Sequence, residues 1–109
     1  METEIPWEIS VETLRDWLRE GKPHALLDVR TDEENEWVQL PRSIHIPLHE
    51  LMQRTGELDA SLLWVVYCHH GVRSMSGTAL LRSAGLNALS LAGGIDAWSR
   101  RIDPAVITY

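Results

Sequence analysis

The sequence predicts an α/β domain in which helices flank a small parallel sheet. Two observations support this class. Short apolar runs alternate along the chain with segments of helical spacing. The run Leu62–Tyr67 (LLWVVY) is apolar without alternation, as a strand is when both of its faces are covered. Because 109 residues is a common domain size, we expect one domain over residues 1–109.

The first half of the chain contains helix and strand signals in turn. Ser10 is a good N-cap for the amphipathic segment VETLRDWLRE, which Gly21 ends. The next run, His24–Val29, is apolar and has the length of a buried strand. Thr31 and Glu34 then match the T-x-x-E capping box, which predicts the start of a short helix.

The second half continues the alternation and ends in a glycine-marked helix. Extended segments are predicted at residues 43–46, 62–67 and 88–91, and helical segments at 48–54, 74–84 and 95–101. Gly85 and the pair Gly93-Gly94 mark breaks between these elements. Ligands of parallel α/β sheets bind at the carboxyl ends of the strands, so site residues are expected there.

Composition argues against several function classes. Sixteen acidic and ten basic residues give a net charge of -6, which disfavours nucleic acid as a partner. The longest apolar runs are far shorter than the ~20 residues of a membrane span, and METEIPWEIS lacks the features of a secretory signal. A single cysteine permits no internal disulfide and fits a reducing compartment. We therefore expect a cytoplasmic protein that does not bind membranes.

Cys68 occupies the position where this fold class binds its ligands, between the central strand and a helix. If the following residues curl tightly, their N–H groups and the helix N-terminus point at the sulfur and favour a thiolate. Gly71 permits the positive φ or the close backbone approach that such a curl would need, and Arg73 adds a cation suited to oxyanions. The segment 69–82 also contains four basic side chains and no carboxylate, which would attract a small anion.

Structural explanations exist for the same residues. Cys68 could be a small buried hydrophobe, and His69 or His70 a solvated loop residue. Zinc binding is disfavoured because adjacent residues rarely bind one tetrahedral ion. Arg73 could pair with a carboxylate such as Asp28 instead of touching a substrate. The tryptophans are expected in the core, since the chain contains no phenylalanine; they are Trp7, Trp17, Trp37, Trp64 and Trp98.

Four separated motifs resemble those of a rhodanese domain in order and spacing: LLDVRTDEE, IHIPLHEL, VVYCHHGVRS and LAGGIDAW. The resemblance implies a five-stranded parallel sheet, a nucleophilic Cys68 that carries sulfur as a persulfide, and no metal or organic cofactor. It also implies that Asp28 and Arg30 brace the loop. The implied persulfide-binding residues are His69, His70, Gly71, Val72, Arg73 and Ser74.

Two segments depart from the pattern of that family. Asn35 stands where an aromatic residue is usual, and Trp37 follows two positions later. The usual GHIPGA is replaced by VQLPRS at residues 38–43, with the loss of two glycines and a histidine. The departures concern the packing of the short helix and the shape of the loop after it, and neither alters the Cys68 loop.

The resemblance implies that sulfur moves from thiosulfate or a similar anionic donor to a thiol or to cyanide. Candidate thiols include those of sulfur-carrier and thioredoxin-like proteins. One alternative is a module that relays sulfur between proteins and acts poorly on free thiosulfate. Another is a cysteine phosphatase or arsenate reductase. Those phosphatases use C-x5-R, whereas Cys68 and Arg73 form C-x4-R, a tighter ring that suits one sulfur atom better than a tetrahedral oxyanion.

Overall fold

Strands and helices alternate along the chain in a computed structural model that describes residues 5–109. Residues 1–4, which begin the predicted domain, lie outside the described part. The strands are β1 (Glu8–Ile9), β2 (Ala25–Asp28), β3 (Ile44–His45), β4 (Leu63–Tyr67) and β5 (Asn87–Leu91). The helices are α1 (Val11–Glu20), α2 (Asp32–Trp37), α3 (Leu48–Arg54), α4 (Arg73–Ser83) and α5 (Gly94–Arg101), with a 3-10 turn at Thr55–Glu57. The predicted α/β class is confirmed.

The five strands form one sheet in the order β1-β5-β4-β2-β3, and every pair is parallel. The prediction that the apolar run before Cys68 is the central strand is confirmed, because β4 pairs with both β2 and β5. The edge strand β1 carried no strand signal in the sequence, because it has only two residues and no apolar run.

Predicted caps fix two helix starts. The Ser10 side chain accepts a hydrogen bond from the Thr13 amide at 3.1 Å, and Gly21 ends α1 with a φ of 72°. At α2 both halves of the capping box form between Thr31 and Glu34, which confirms that prediction. These starts orient the helices that follow β1 and β2.

The core has one apolar layer on each face of the sheet. Helices α1 and α5 cover one layer through residues such as Leu14 and Trp98. Helices α3 and α4 cover the other through Leu51 and Leu81, and this second layer includes Cys68. Of the tryptophans, Trp64 and Trp98 are buried, Trp17 is partly buried, and Trp7 and Trp37 are exposed at 48% and 57%. The expectation that all five lie in the core is therefore wrong.

Within residues 5–109, no helix is both long enough and apolar enough to cross a bilayer.

Candidate functional site

The candidate site lies where β2, β4 and β5 end at one edge of the sheet. Asp28 ends β2, Cys68 directly follows β4, and Gly93 and Gly94 follow β5. The loop at residues 68–72 connects β4 to α4, and the Ser74 amide in the first turn of α4 faces the cysteine. Parallel strand order thus brings together residues that lie far apart in sequence.

The Cys68 sulfur sits in a small ring of hydrogen-bond donors. The Gly71 amide donates to Sγ at 3.1 Å and the Ser74 amide at 3.3 Å. The Ser74 hydroxyl lies 3.4 Å from the same sulfur. Cys68 is 1% exposed, so these contacts form away from solvent. The loop therefore curls tightly around the sulfur, which is the geometry that the thiolate hypothesis requires.

Gly71 allows the loop to turn this tightly. Its φ is 102° and an added Cβ would lie 3.0 Å from the Gly93 nitrogen, so the loop uses both features that glycine permits, a positive φ and a close backbone approach. A Cβ at Gly94 would collide with the main-chain carbonyls of Cys68 and His69. Two glycines from different segments are therefore needed where the Cys68 loop meets the start of α5.

The start of α5 holds the outer side of the loop, a role that sequence reasoning missed. The Ile95 amide donates to the Cys68 carbonyl at 2.9 Å, and the Asp96 amide donates to the His69 carbonyl at 3.0 Å. These bonds fix the backbone on either side of the peptide after Cys68. The signal in the sequence is the pair Gly93-Gly94, which by itself predicts only a break before the last helix.

Arg73 points to Glu34 and not to Asp28, which corrects the partner suggested from sequence. Its guanidinium donates to both carboxylate oxygens, at 2.6 and 2.9 Å. Hydrogen bonds from Arg73 hold the pKa of Glu34 far below its usual range, and those from Tyr109 and the Thr31 backbone add to the effect. The cation expected to attract an anion is thus largely neutralised by a carboxylate of α2.

Asp28 and Arg30 form a separate, fully buried pair. Arg30 donates from Nε at 2.8 Å and from Nη2 at 2.7 Å to the two carboxylate oxygens of Asp28. Burial opposes the charge on Arg30, but hydrogen bonds with Asp28 and Tyr109 outweigh it and raise the pKa above its ordinary value. Within residues 5–109, no hydrogen bond joins either side chain to the Cys68 loop, so any bracing of that loop is indirect.

Tyr109 links the two pairs and was not predicted. Its hydroxyl accepts a hydrogen bond from Arg30 at 2.9 Å and donates one to Glu34 at 2.7 Å. Its ring stacks on His69 with centroids 3.9 Å apart and planes 9° apart. Burial raises the pKa of Tyr109 to about 12, so the hydroxyl stays protonated at neutral pH. Nothing near Tyr109 in the sequence indicates these distant contacts.

The outward side chains of the loop form the rim of the site. Val72 is 77% exposed and the His70 side chain 61%. Burial lowers the pKa of His69, and the neighbouring His70 lowers it further, so neutral imidazole is favoured. His69, His70 and Asp96 each offer a possible metal-ligand atom, and these atoms lie within 4.8 Å of one another.

The predicted basic segment 69–82 is not one patch. Arg73 binds Glu34 at one end of α4, while Arg82 lies in its last turn and binds the carbonyls of Pro6 and Ala88. Rise along an α-helix is about 1.5 Å per residue, so these guanidinium groups lie at opposite ends of α4.

The two segments that depart from the family pattern are held by local hydrogen bonds. The Asn35 amide donates to Asp28 at 3.0 Å, a polar contact where an aromatic ring is usual. In the loop after α2, Arg42 adopts a φ of 64°, a left-handed value that favours glycine. The Tyr67 hydroxyl accepts from the Leu40 amide at 3.1 Å and lies 2.9 Å from the Ser43 hydroxyl. Contacts from the central strand therefore hold this altered loop.

Sequence relatives of the chain include sulfurtransferases. The chain is 36% identical over 104 residues to the probable adenylyltransferase/sulfurtransferase MoeZ of Mycobacterium tuberculosis, across 93% of this chain and 26% of MoeZ. It is 34% identical over 100 residues to a sulfurtransferase of Allochromatium vinosum, across 91% of this chain and 94% of that protein. The chain thus spans about a quarter of MoeZ but nearly all of the second relative.

Structural similarity agrees with these sequence matches. The crystal structure of a rhodanese-related protein from Thermoplasma volcanium aligns with a TM-score of 0.83 and 29% identity, across 95% of this chain and all of that one. A family model described as the Rhodanese-like domain matches residues 10–101. The chain therefore belongs to the family of rhodanese-like domains, which includes sulfurtransferases.

Proposed function

We propose that this domain transfers a sulfane sulfur from a small anionic donor, such as thiosulfate, to a thiol or cyanide through a persulfide on Cys68. The observation that best supports this is that the main-chain amides of Gly71 and Ser74 both donate to one buried sulfur atom, with the Ser74 hydroxyl 3.4 Å from it. Cys68 is also the one cysteine of the chain, so no second thiol competes for the role.

In the first step the Cys68 thiolate attacks the outer sulfur of thiosulfate. A bond forms between Sγ and that sulfur, the S–S bond of thiosulfate breaks, and its electron pair leaves with sulfite. The amides of Gly71 and Ser74 stabilise the thiolate before attack and hold the inner sulfur of the persulfide afterwards. No proton has to move when a thiolate reacts with a thiosulfate dianion.

In the second step an acceptor nucleophile attacks the outer sulfur of the persulfide. The new bond joins the acceptor to sulfur, and the electron pair of the broken S–S bond returns to Cys68 as a thiolate. Sγ is buried, and the outer sulfur lies about 2.05 Å beyond it at the length of an S–S bond. That extension brings the transferred atom toward the rim, where His70 and Val72 are exposed.

Intact mass spectrometry tests this cycle. Reduced protein treated with thiosulfate should gain one sulfur atom, and cyanide should remove it. Cys68→Ser should gain none while it keeps its fold, because the two side chains differ little in volume. A sulfur gain of the same size in Cys68→Ser would refute the assignment.

A protein-to-protein relay is the second candidate function, and the composition of the rim supports it. Val72 on the rim is 77% exposed, and Trp37, whose ring centroid lies 5.4 Å from that of Tyr109, is 57% exposed; exposed apolar groups beside a site are typical of surfaces that partner proteins cover. In this case thiosulfate would load Cys68 poorly, and a persulfide-loaded cysteine desulfurase would load it well. Comparison of the two donors at equal concentration distinguishes the enzyme from the relay.

The contacts of Arg73 disfavour a phosphatase or arsenate reductase. An arginine that binds an oxyanion must present its donors to it, whereas here two of them engage Glu34. Hydrolysis of an aryl phosphate that disappears with Cys68→Ser would contradict this conclusion.

A further inference from the structure

Ser90 is a polar residue in an otherwise apolar part of the sheet. It lies in β5, which pairs with both β1 and β4, and it is fully buried. Its neighbour on the same face, Ala88, packs in the apolar layer that contains Cys68. A buried hydroxyl is costly unless it has a hydrogen-bond partner, so its presence requires an explanation.

The partner of Ser90 leads directly to the sulfur. Its hydroxyl oxygen lies 2.7 Å from that of Ser74, the one side-chain partner that it has among the described residues. The Ser74 hydroxyl in turn lies 3.4 Å from the Cys68 sulfur. Two buried serines and the cysteine thus form a short chain that begins inside the core and ends at the site.

The number of hydroxyl protons determines the direction in which these hydrogen bonds are donated. Ser74 has one hydroxyl proton, which it can donate either to Ser90 or to sulfur. A thiolate cannot donate, so it requires the proton of Ser74. Ser90 must then donate to Ser74 and become the first link. Hydrogen bonds aligned in one direction polarise and strengthen each other.

We propose that Ser90 is a positioning residue whose hydroxyl holds Ser74 as a donor to the Cys68 sulfur and thereby stabilises its thiolate form. The proposal deepens, and rests on, the proposed role of Cys68 as the nucleophile. Ser90 does not touch the sulfur, so its effect passes through Ser74. In the reaction it would stabilise the attacking thiolate of the first step and the leaving thiolate of the second.

The pH dependence of alkylation tests the proposal without sulfur transfer. Iodoacetamide labels the single cysteine, and intact mass follows the rate from pH 5 to pH 10. In Ser90→Ala the midpoint of the rate profile should rise by about 0.5 to 1 pH unit, a three- to tenfold loss of thiolate below the midpoint. Midpoints are compared instead of rates, because the buried sulfur limits access of the reagent in every variant.

Matched variants separate positioning from packing. Ser99→Ala removes another buried serine hydroxyl, one that donates to the Val106 carbonyl away from the site, and should leave the midpoint unchanged. Ser90→Thr keeps a hydroxyl and should restore the midpoint. Ser90→Ala should add nothing to the shift that Ser74→Ala causes, because both changes break one chain.

Three results would overturn the proposal. These are an unchanged midpoint in folded Ser90→Ala, an equal shift in Ser99→Ala, and additive shifts in the double variant of Ser74 and Ser90. If Ser90→Ala does not fold, Ser90→Thr tests the proposal instead. A midpoint shift in Ser90→Thr as large as that in Ser74→Ala would contradict a role of the Ser90 hydroxyl, since the threonine keeps a hydroxyl. If the midpoint shifts as expected but thiosulfate and a persulfide donor both fail to load Cys68, the proposed function fails and the inference about Ser90 stands.

Discussion

Two arginine–carboxylate pairs meet at Tyr109, and they differ mainly in their exposure to water. The side chains of Arg30 and Asp28 are 0% exposed, whereas those of Arg73 and Glu34 are 37% and 11% exposed. A fully buried ion must keep its partner, because an unpaired charge there is very costly. A pair at the surface can separate at a smaller cost. The first pair therefore belongs to the framework of the domain, and the second, here called the rim pair, joins α2 to the start of α4 beside the Cys68 loop.

The largest effect should follow from breaking the buried pair. Asp28→Ala leaves the Arg30 charge without its carboxylate and should lower the free energy of unfolding by about 3 to 5 kcal/mol. Urea titration followed by tryptophan fluorescence measures this loss. The double variant of Asp28→Ala with Arg30→Met should lose less than Asp28→Ala alone, since no buried charge remains. A double variant that is less stable than the single one would contradict this account.

A smaller effect is expected from the rim pair. Glu34→Gln removes the charge that Arg73 binds and should lower the free energy of unfolding by about 1 to 2 kcal/mol at pH 7. The folded-state pKa of Glu34 lies below its ordinary value of 4.5, so its stabilising contribution is complete above that pH and is lost as pH falls. The unfolding free energies of the wild type and of Glu34→Gln, measured by urea titration, should thus approach each other as the pH falls.

The matched control for Glu34 is a pair in open solvent. Glu57 also binds an arginine, with Arg54 donating at 2.8 Å, and its side chain is 54% exposed. Glu57→Gln should cause no measurable change in the urea midpoint at pH 7. If Glu57→Gln cost as much as Glu34→Gln, partial burial would not explain the difference between the two pairs.

Among changes at the two pairs and Tyr109, the smallest effect should come from the hydroxyl that joins the pairs. Tyr109→Phe keeps the ring that stacks on His69 but loses the contacts with Arg30 and Glu34, and should cost about 0.5 to 1 kcal/mol. Tyr109→Leu, which also loses the stacking, should cost more. The double variant of Tyr109→Phe and Glu34→Gln should lose less unfolding free energy than the sum of the losses in the two single variants. Additive losses measured by urea unfolding would exclude coupling through the hydroxyl.

Sequence predicted the features of this domain that local chemistry controls. The caps at Ser10 and Thr31, the central strand and the use of a glycine in the Cys68 loop each depend on residues within one short segment. Contacts across the fold could not be predicted in this way. Glu34 lies 39 positions from Arg73 and 75 from Tyr109, and no local pattern indicates which carboxylate an arginine will reach.

The same distinction applies within the site. Cys68 and its loop could be singled out because a strand, a cysteine, a glycine and a helix follow one another directly. Ser90 could not, because a single serine in a strand has no distinguishing context until the register places it beside Ser74. The apolar residues around Ser90 mark it as a buried polar residue only once the strand is known to be buried on both faces.

The sulfur is held largely by the main chain, and this has a consequence for sequence divergence. Amides are present whatever the side chain, so the cradle does not depend on which residues occupy positions 70 and 72, whose side chains point outward. Those positions are free to change charge, size and polarity while the loop keeps its shape. One scaffold can therefore acquire new partners by surface substitution alone and still handle the transferred atom in the same way.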